Sequence, residues 1–595
     1  MPIDLVFVSV GGVQRFVAES RKTVDAAGAS SVVRYVMTQA AHAVQSALAD
    51  RPWPCGLVFP TPGTLARAAG GTADVTNKLA FLAPAGTGPD LARQAAEAAR
   101  SAWRGLVERA FGADRPTPGF PDLAWVSVTG SFGDDAEYRA LWRRAGAAMG
   151  ERRRARVFDP VSPGPTALCT QSPALPAAAG VPRRTARRDR TEKLSVAGWT
   201  KRHHGRADDD ADFPSTTVVA SAAFRAALLT RAAADEEFRA RLSRPVGELD
   251  EILRQIGDGR RHRGLPPGIP IPDGLRALSD RLGTAVSPDA WEPDALRAEH
   301  GDDLDGGLID RGHQQARQLV SAVDDARLTP YYAIVVQDLD RLGTAISGLG
   351  LADQRRAAEA LAELGHAQRA LADSADHLGV SVYAGGDDFV AFAPAARALR
   401  LAKELRLLTR DAIAGSPLAA AGPGGGTVTA STAVLFSHMT RSLQEAIAAA
   451  QDALHRAKKA EGRGGRNRNA LTVVVRRRGG ERARTILPWW PPEDGKGRTA
   501  ADLLDVVAPR GQAATFSARL AARLEQDRMH LDELGRTPEL WSLLRAELDR
   551  LVARQGGTAE VADALCALGL DERGTHGFNP VPAALVGRFL ARECR

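Results

Sequence analysis

The sequence predicts an α/β (α+β) protein: two units of alternating strand and helix, separated by a mainly helical middle region and followed by a helical C-terminal domain. Three observations carry this. Short apolar runs alternate with Ala-rich stretches of helical period at 5–130 and again at 331–478. Residues 152–330 are rich in Pro, Gly and Arg and give only helical signals, and residues 500–595 show helical periodicity alone. At roughly 150 residues per domain, a chain of 595 residues holds about four domains and more than one core. The expected division is 1–150, 151–327, 328–482 and 483–595.

Taken in order, LVFVSV from Leu5 to Val10 is a buried strand, broken by Gly11-Gly12 before a helical pattern that runs from Val13 towards Asp50. A second strand, Gly56 to Phe59, stops at Pro60, a long Ala-rich helix spans Pro89 to Phe111, and another strand covers Ala124 to Val128. The middle region holds helices around Ser221 to Ile256, and GRRHRGLPPGIPIPDG is loop. Periodicity returns at Tyr331 with strand YYAIVV, a helix from Asp353 to Leu378, strand VSVYA, the turn GGDD, strand FVAFA and a helix from Ala395 to Arg410. After the Gly-rich stretch Ala421 to Gly426 come strand TVTASTAVLF, a helix from Ser442 to Lys459 and a last strand, ALTVVV, ending in Arg476, Arg477 and Arg478. The Pro-rich WWPPEDG separates this unit from the helical end. No repeat of 20–50 residues recurs.

Hydrophobic residues are 44%, charged residues 25% and aromatics 5%, an ordinary globular balance that excludes wholesale disorder. The net charge of +7 gathers in clusters such as Arg152, Arg153, Arg154 and Arg156, which suit a solvated basic face or a polyanionic partner equally. Cys55, Cys169, Cys566 and Cys594 lie far apart without a C-x-x-C pair, so neither a zinc ribbon nor a disulfide framework is read, and a reducing cytoplasm fits. The first residues lack a basic leader and no run approaches about 18 uninterrupted apolar residues, so the expectation is a protein neither secreted nor spanning a membrane.

The chemistry gathers in the second unit. Asp338 and Asp340 end one apolar strand, and Asp387 and Asp388 occupy a tight turn between two more. Antiparallel pairing brings these groups together, and alternation points Asp338 and Asp340 the same way. Gly385 and Gly386 let the backbone approach a phosphate. Three or four converging carboxylates without a basic partner are costly unless a divalent cation neutralises them, and hard oxygen ligands beside a phosphate-accessible turn suit Mg²⁺ or Mn²⁺, two per active site, for phosphoryl transfer. Lys458, Lys459 and Arg463, in AKKAEGR at the end of the later helix, suit triphosphate oxygens. Alone, GGDD is equally a hairpin turn; the D-x-D and the basic set tip the balance. His203-His204 with Asp208 to Asp210 reads as a charged loop before a metal site.

YYAIVVQDLDRLG, VSVYAGGDDFVAFAP and STAVLFSHMTRSLQEAIAAAQDALHRAKKAEGR resemble the second palm domain of the polymerase-like large subunit of type III CRISPR effector complexes, the III-B branch especially. GGVQRFVAESRKTVDAAGASSVV, VFP at Val58 and TNKLAFLAP at Thr76 are similar to that subunit's first palm, and EKLSVAGWTKR from Glu192 with FPST from Phe213 to the region after its zinc-binding stretch. The resemblance implies two ferredoxin-like palm/cyclase domains, of which the first, lacking D-x-D and GGDD, is an inactive pseudo-palm. It also places His438 near the nucleotide, a position that a strand-end histidine fits equally.

Two departures stand out. Where relatives pair cysteines this chain has CTQSP with Cys169 alone, so no zinc is expected. None of the twelve histidines is followed by Asp, so the HD nuclease of many relatives is expected to be missing. The resemblance implies a subunit that meets guide RNA, target RNA and other subunits of its complex, with no membrane, and that converts ATP to cyclic oligoadenylates, with Asp338, Asp387 and Asp388 as the catalytic residues that hold the metal ions and Asp340 also at the nucleotide. A GTP-using dinucleotide cyclase of the GGDEF type and a catalytically silent RNA-binding scaffold remain open.

Overall fold

The computed structural model describes residues 1–67, 75–155, 167–183, 185, 189–206, 213–301, 303–323, 326–459, 468–491, 495–508, 514–569 and 578–594. Ten strands make two sheets. The first holds β1 (Pro2–Val10), β2 (Gly56–Phe59), β3 (Lys78–Pro84) and β4 (Leu123–Ser131), in the order β2-β3-β1-β4. The second holds β5 (Tyr331–Leu339), β6 (Val380–Ala384), β7 (Asp388–Pro394), β8 (Ala430–His438), β9 (Ala470–Arg477) and β10 (Gly480–Pro488), in the order β10-β9-β8-β5-β7-β6. Within each, four antiparallel strands share one plan, with the first strand central between the third and the fourth. Both are therefore ferredoxin-like β-α-β-β-α-β units, as the resemblance implied.

The second sheet runs two strands further: β9 joins β8 in parallel, and β10 returns antiparallel to β9. The sequence reading stopped at ALTVVV and missed β10. Its core side is Ala483, Thr485 and Leu487, alternating with Arg484 and Ile486, a period-2 pattern shortened by the neighbouring Trp-Trp-Pro-Pro. The opening pattern also breaks into two helices, Val13–Ala18 and Thr23–Ala47, rather than one.

Apolar faces decide the packing. In the first unit, the Thr23–Ala47 and Gly88–Phe111 helices bury Val32, Val36, Ala40, Ala99, Trp103 and Leu106 against Val6, Val8 and Phe81. In the second, β5 is buried along nearly its full length, consistent with cover on both faces. Helices from the C-terminal region pack on one of those faces, with Leu503, Leu504, Val586 and Phe589 in the same core as Tyr331, Val335 and Phe436.

The middle region is mainly helical where described and is clamped to the first unit by buried charge. Arg202 makes a two-toothed bond to Asp25, Nε to Oδ1 at 2.6 Å and Nη2 to Oδ2 at 2.9 Å, both side chains being almost fully buried. Removing either partner strands the other, at about 3–5 kcal/mol. Next to it the buried Lys201 ammonium donates to the carbonyls of Phe16 and Glu19 and to Ser20 Oγ. The CTQSP loop closes on backbone bonds around Cys169, whose Sγ accepts from the Ser172 N–H, while Gln171 reaches Asp25. The Thr216–Ala234 helix is long and apolar enough to cross a membrane by length and composition alone; Val218, Val219, Phe224, Leu228 and Leu229 bury it within the protein.

Candidate active site

The site is built where β5 and β7 end together. Their antiparallel register sets Asp338 opposite Asp388, so the two carboxylates face each other across one pair of strands and share a hydrogen bond. Asp387 caps the turn, its Oδ1 accepting from the Asp388 N–H at 3.0 Å. Lys458, in the last turn of the Leu443–Lys459 helix, reaches across β5 to ion-pair with Asp338. Asp338, Asp387, Asp388 and Lys458 thus converge.

Electrostatics there are strained in one direction. Burial first, then the Asp338 charge, raise the Asp387 pKa above the usual carboxylate range, against an opposing pull from Lys78 of the first unit and from backbone N–H groups of the turn. Burial first, then Asp387 and Asp338, raise Asp388 further, with Lys458 opposing. Both side chains keep part of their surface in solvent while ringed closely by protein. Among the described residues no group of three or more Asp, Glu, His or Cys is already arranged to hold a metal ion. The donor chemistry nevertheless fits one: clustered hard oxygens whose mutual repulsion Lys458, Lys78 and a backbone N–H only partly offset are what a divalent cation binds.

Gly385 and Gly386 have a local reason to be glycine. Gly386 sits at φ +83°, and a Cβ there would collide with the Leu361 carbonyl of the Leu351–Ala372 helix. A Cβ on Gly365 of that helix would come within 3.0 Å of both the Ala384 carbonyl oxygen and the Gly386 nitrogen. The turn is seated directly on helix backbone, a close approach that the phosphate reading of these glycines did not include.

Two residues expected at the nucleotide stand apart from this carboxylate cluster. Asp340 lies beyond the end of β5 and is 4% exposed; its carboxylate accepts from Thr429 Oγ1 at 2.7 Å, Ser431 Oγ at 2.9 Å and the Asn469 N–H at 2.9 Å. These bonds tie the start of β9 to β8. His438 closes the opposite end of the sheet. It pairs with Tyr331, while Asp338 pairs with Ser431, a separation of 7 residues and about 23 Å at roughly 3.3 Å per residue. Its Nδ1 meets Thr440 and its Nε2 accepts from Arg478. It sits at the strand end away from the carboxylate cluster.

Lys459 is exposed and points away from the buried face that carries Ala457. Arg463 and Asp208 to Asp210 lie outside the described residues, as does Arg156. Sequence reading missed Lys78, which begins β3 of the first unit and faces Asp387; its signal was TNKLAFLAP, quoted for its resemblance alone.

Comparison with known proteins follows the geometry. Residues 331–471 match the family model of the Cas10/Cmr2 second palm domain, and residues 5–108 that of the CRISPR-associated protein Cmr2 N-terminal region. No curated protein matches the sequence. Among solved structures, type III-B Cmr-beta in the apo state aligns at a TM-score of 0.62 and 13% identity, over 99% of this chain and 81% of that one. Type III-B Cmr-beta bound to cognate target RNA aligns at 0.60 and 13%, over 99% and 83%. These likenesses show the fold.

Proposed function

We propose that this chain, which carries the second palm and N-terminal domains of the Cas10/Cmr2 family, is the large subunit of a type III CRISPR effector complex and makes cyclic oligoadenylates from ATP when target RNA binds. One observation carries the reading: Asp338, Asp387 and Asp388 meet at the end of one strand pair, beside Lys458, inside the segment that matches the palm domain.

In this reading Asp338, Asp387 and Asp388 hold Mg²⁺ or Mn²⁺, which when bound activates the attacking hydroxyl and offsets charge at the phosphate. Each chain-extending bond joins a ribose 3′-oxygen to the α-phosphorus of another ATP and the closing bond joins the last 3′-oxygen to the α-phosphorus of the chain's own 5′-triphosphate; each releases pyrophosphate, and the hydroxyl proton passes to solvent. The chain's own part is placement. Lys458, now held by Asp338, turns its ammonium to the triphosphate, and Lys78 brings a second cation from the facing unit. The Gly385-Gly386 turn, seated on the Leu351–Ala372 helix, fixes the two turn carboxylates before substrate arrives. The cation, its number and ATP as substrate are parts of this proposal, as are guide and target RNA as partners and a cytoplasmic location. A CTQSP loop that closes on backbone bonds around one cysteine supports a chain without zinc.

The test is mass spectrometry of products from the complex assembled with guide RNA, offered ATP or GTP in Mg²⁺ with and without target RNA. Target-dependent cyclic products from ATP are expected. Dinucleotides from GTP alone would move the protein to the GGDEF class, and no product from either would leave a scaffold.

A further inference from the structure

The first unit lacks the carboxylates, yet one helix of the second unit links it to the GGDD turn. The Leu351–Ala372 helix begins against the first unit. A Cβ on Gly350, its N-cap, would collide with the Asp135 carboxylate, and Leu351 is buried among Ile3, Leu5, Val58, Tyr138 and Leu141. In its first turn, the fully buried Gln354 accepts from Tyr138 Oη at 2.7 Å and donates to the Ile346 carbonyl at 2.7 Å. Arg355 donates from Nε to the Leu57 carbonyl at 2.9 Å and from Nη2 to the Pro54 carbonyl at 3.2 Å, and its guanidinium lies 4.9 Å from the Trp53 ring centre. Every one of these partners except Ile346 belongs to the first unit.

The same helix then meets the site twice. Leu361 and Gly365, about 9 and 15 Å along the axis from Arg355 at roughly 1.5 Å per residue, are the seat of the Gly385-Gly386 turn. Near its end, Gln368 donates to Gln337 Oε1 at 3.3 Å, in a buried amide set where Thr409 Oγ1 also donates to that oxygen at 2.7 Å. Gln337 directly precedes Asp338. One rigid rod therefore touches the first unit at one end, the turn with Asp387 and Asp388 in the middle, and the strand with Asp338 at the other.

We propose that the first palm is the positioning platform of the second palm's carboxylates, and that Gln354 and Arg355 are positioning residues acting through the Leu351–Ala372 helix. Neither touches the site. Arg355 holds two carbonyls at fixed spacing, which only a guanidinium fork does, and Gln354 has both ends of its amide occupied. A helix loosened at its first turn lets the Leu361–Gly365 seat shift, and a displacement near 1 Å at reacting groups costs up to about 100-fold in rate. The proposal rests on the reading of the turn as the active site, but its primary readout does not.

The experiment is hydrogen exchange on the full chain, comparing residues 380–389 with residues 430–438 as an internal reference, in wild type, Tyr138→Phe, Arg355→Met and Arg355→Lys. We expect exchange at 380–389 to rise about tenfold in Arg355→Met, less in Arg355→Lys and Tyr138→Phe, with 430–438 within twofold of wild type. With ATP in the assembled complex, kcat should fall about tenfold in Arg355→Met while KM changes less than twofold. Unchanged exchange at 380–389 in all three variants overturns the proposal, as does an equal rise in both segments, which means general loosening. A selective rise at 380–389 in a protein whose wild type makes no product leaves the positioning role standing and removes the catalytic reading instead.

Discussion

The two sheets follow one plan and differ in what they carry at the same register. In the second, β5 and β7 set Asp338 opposite Asp388; in the first, β1 and β3, the equivalent strands, set Ser9 opposite Lys78. Each unit follows its fourth strand with a helix whose last turn is basic, Arg152, Arg153 and Arg154 in one and Arg456, Lys458 and Lys459 in the other. The cationic ends survive in both, and the carboxylates in one. The lesson is that this fold supplies a place where two strand ends meet, while chemistry depends on a few side chains set there. Lys78 makes the difference useful: it offers the second unit's Asp387 a charge that the second unit does not place there itself.

The largest expected effect comes from erasing the difference. Asp387→Ala with Asp388→Ala should cut oligoadenylate synthesis by at least about 1,000-fold. Melting temperature without Mg²⁺ should hold or rise, because like charges are removed from a buried turn. A fall in melting temperature with synthesis unchanged would make the Asp387-Asp388 turn a structural hairpin only. Lys458→Ala comes next, at about 100-fold in kcat/KM for ATP, since it removes the cation nearest Asp338. A loss below twofold would show that the basic helix ends are as idle in the second unit as in the first. Lys78→Ala should cost about three- to tenfold in the same assay, and Lys78→Asp more, by adding a negative charge beside Asp387. Equal rates for the three proteins would confine the site to the second unit.

The smallest effect separates how the two units are held. Burial lowers the Lys201 pKa to about 8 from an ordinary 10.5, despite its three acceptors. Below pH 8 the ammonium is charged both folded and unfolded, and the folded state bears the whole cost of burying it. Between pH 8 and 10.5 the unfolded chain binds more protons, so stability referred to Lys201 rises with pH, by at most about 1.4 kcal/mol per pH unit. Melting curves of wild type against Lys201→Met from pH 7 to 10.5 should therefore converge or cross as pH rises. A constant gap across that range would remove the pH-dependent clamp on the first unit.

Much of this was legible in the sequence because it is local. YYAIVVQDLD and VYAGGDDFVAF each show an apolar strand meeting carboxylates at a turn, and antiparallel pairing of neighbours in an α/β unit follows from that pattern. What escaped depends on distant partners. Asp340 looks like Asp338 two residues away, and only Thr429, Ser431 and Asn469, 89 or more residues on, decide that it is an anchor. The place of His438 at the far end of β8 from Asp338 was not legible, because a motif says nothing of which end of a strand faces the carboxylates. Lys78 and Arg355 act across a boundary between units, where sequence spacing is silent. β10 was hidden by charge: its arginines obscured an alternation that its buried Ala483, Thr485 and Leu487 make plain.

The central place of β1 and β5 also bears on how the chain is made. Each is the first strand of its unit to be synthesised, yet lies between the third and fourth, so β1 waits for Lys78 and Leu123 and β5 for Asp388 and Ala430 before either edge is closed. At about 5–20 residues per second, β5 stays unpaired for several seconds, an apolar segment open to chaperones and to wrong partners. The first unit is by then entirely out of the ribosome, and the helix that follows β5 carries Gln354 and Arg355, whose partners on that unit are already made. Docking that helix early would give the second sheet a template on which to assemble, so that the first unit serves as the mould for the second.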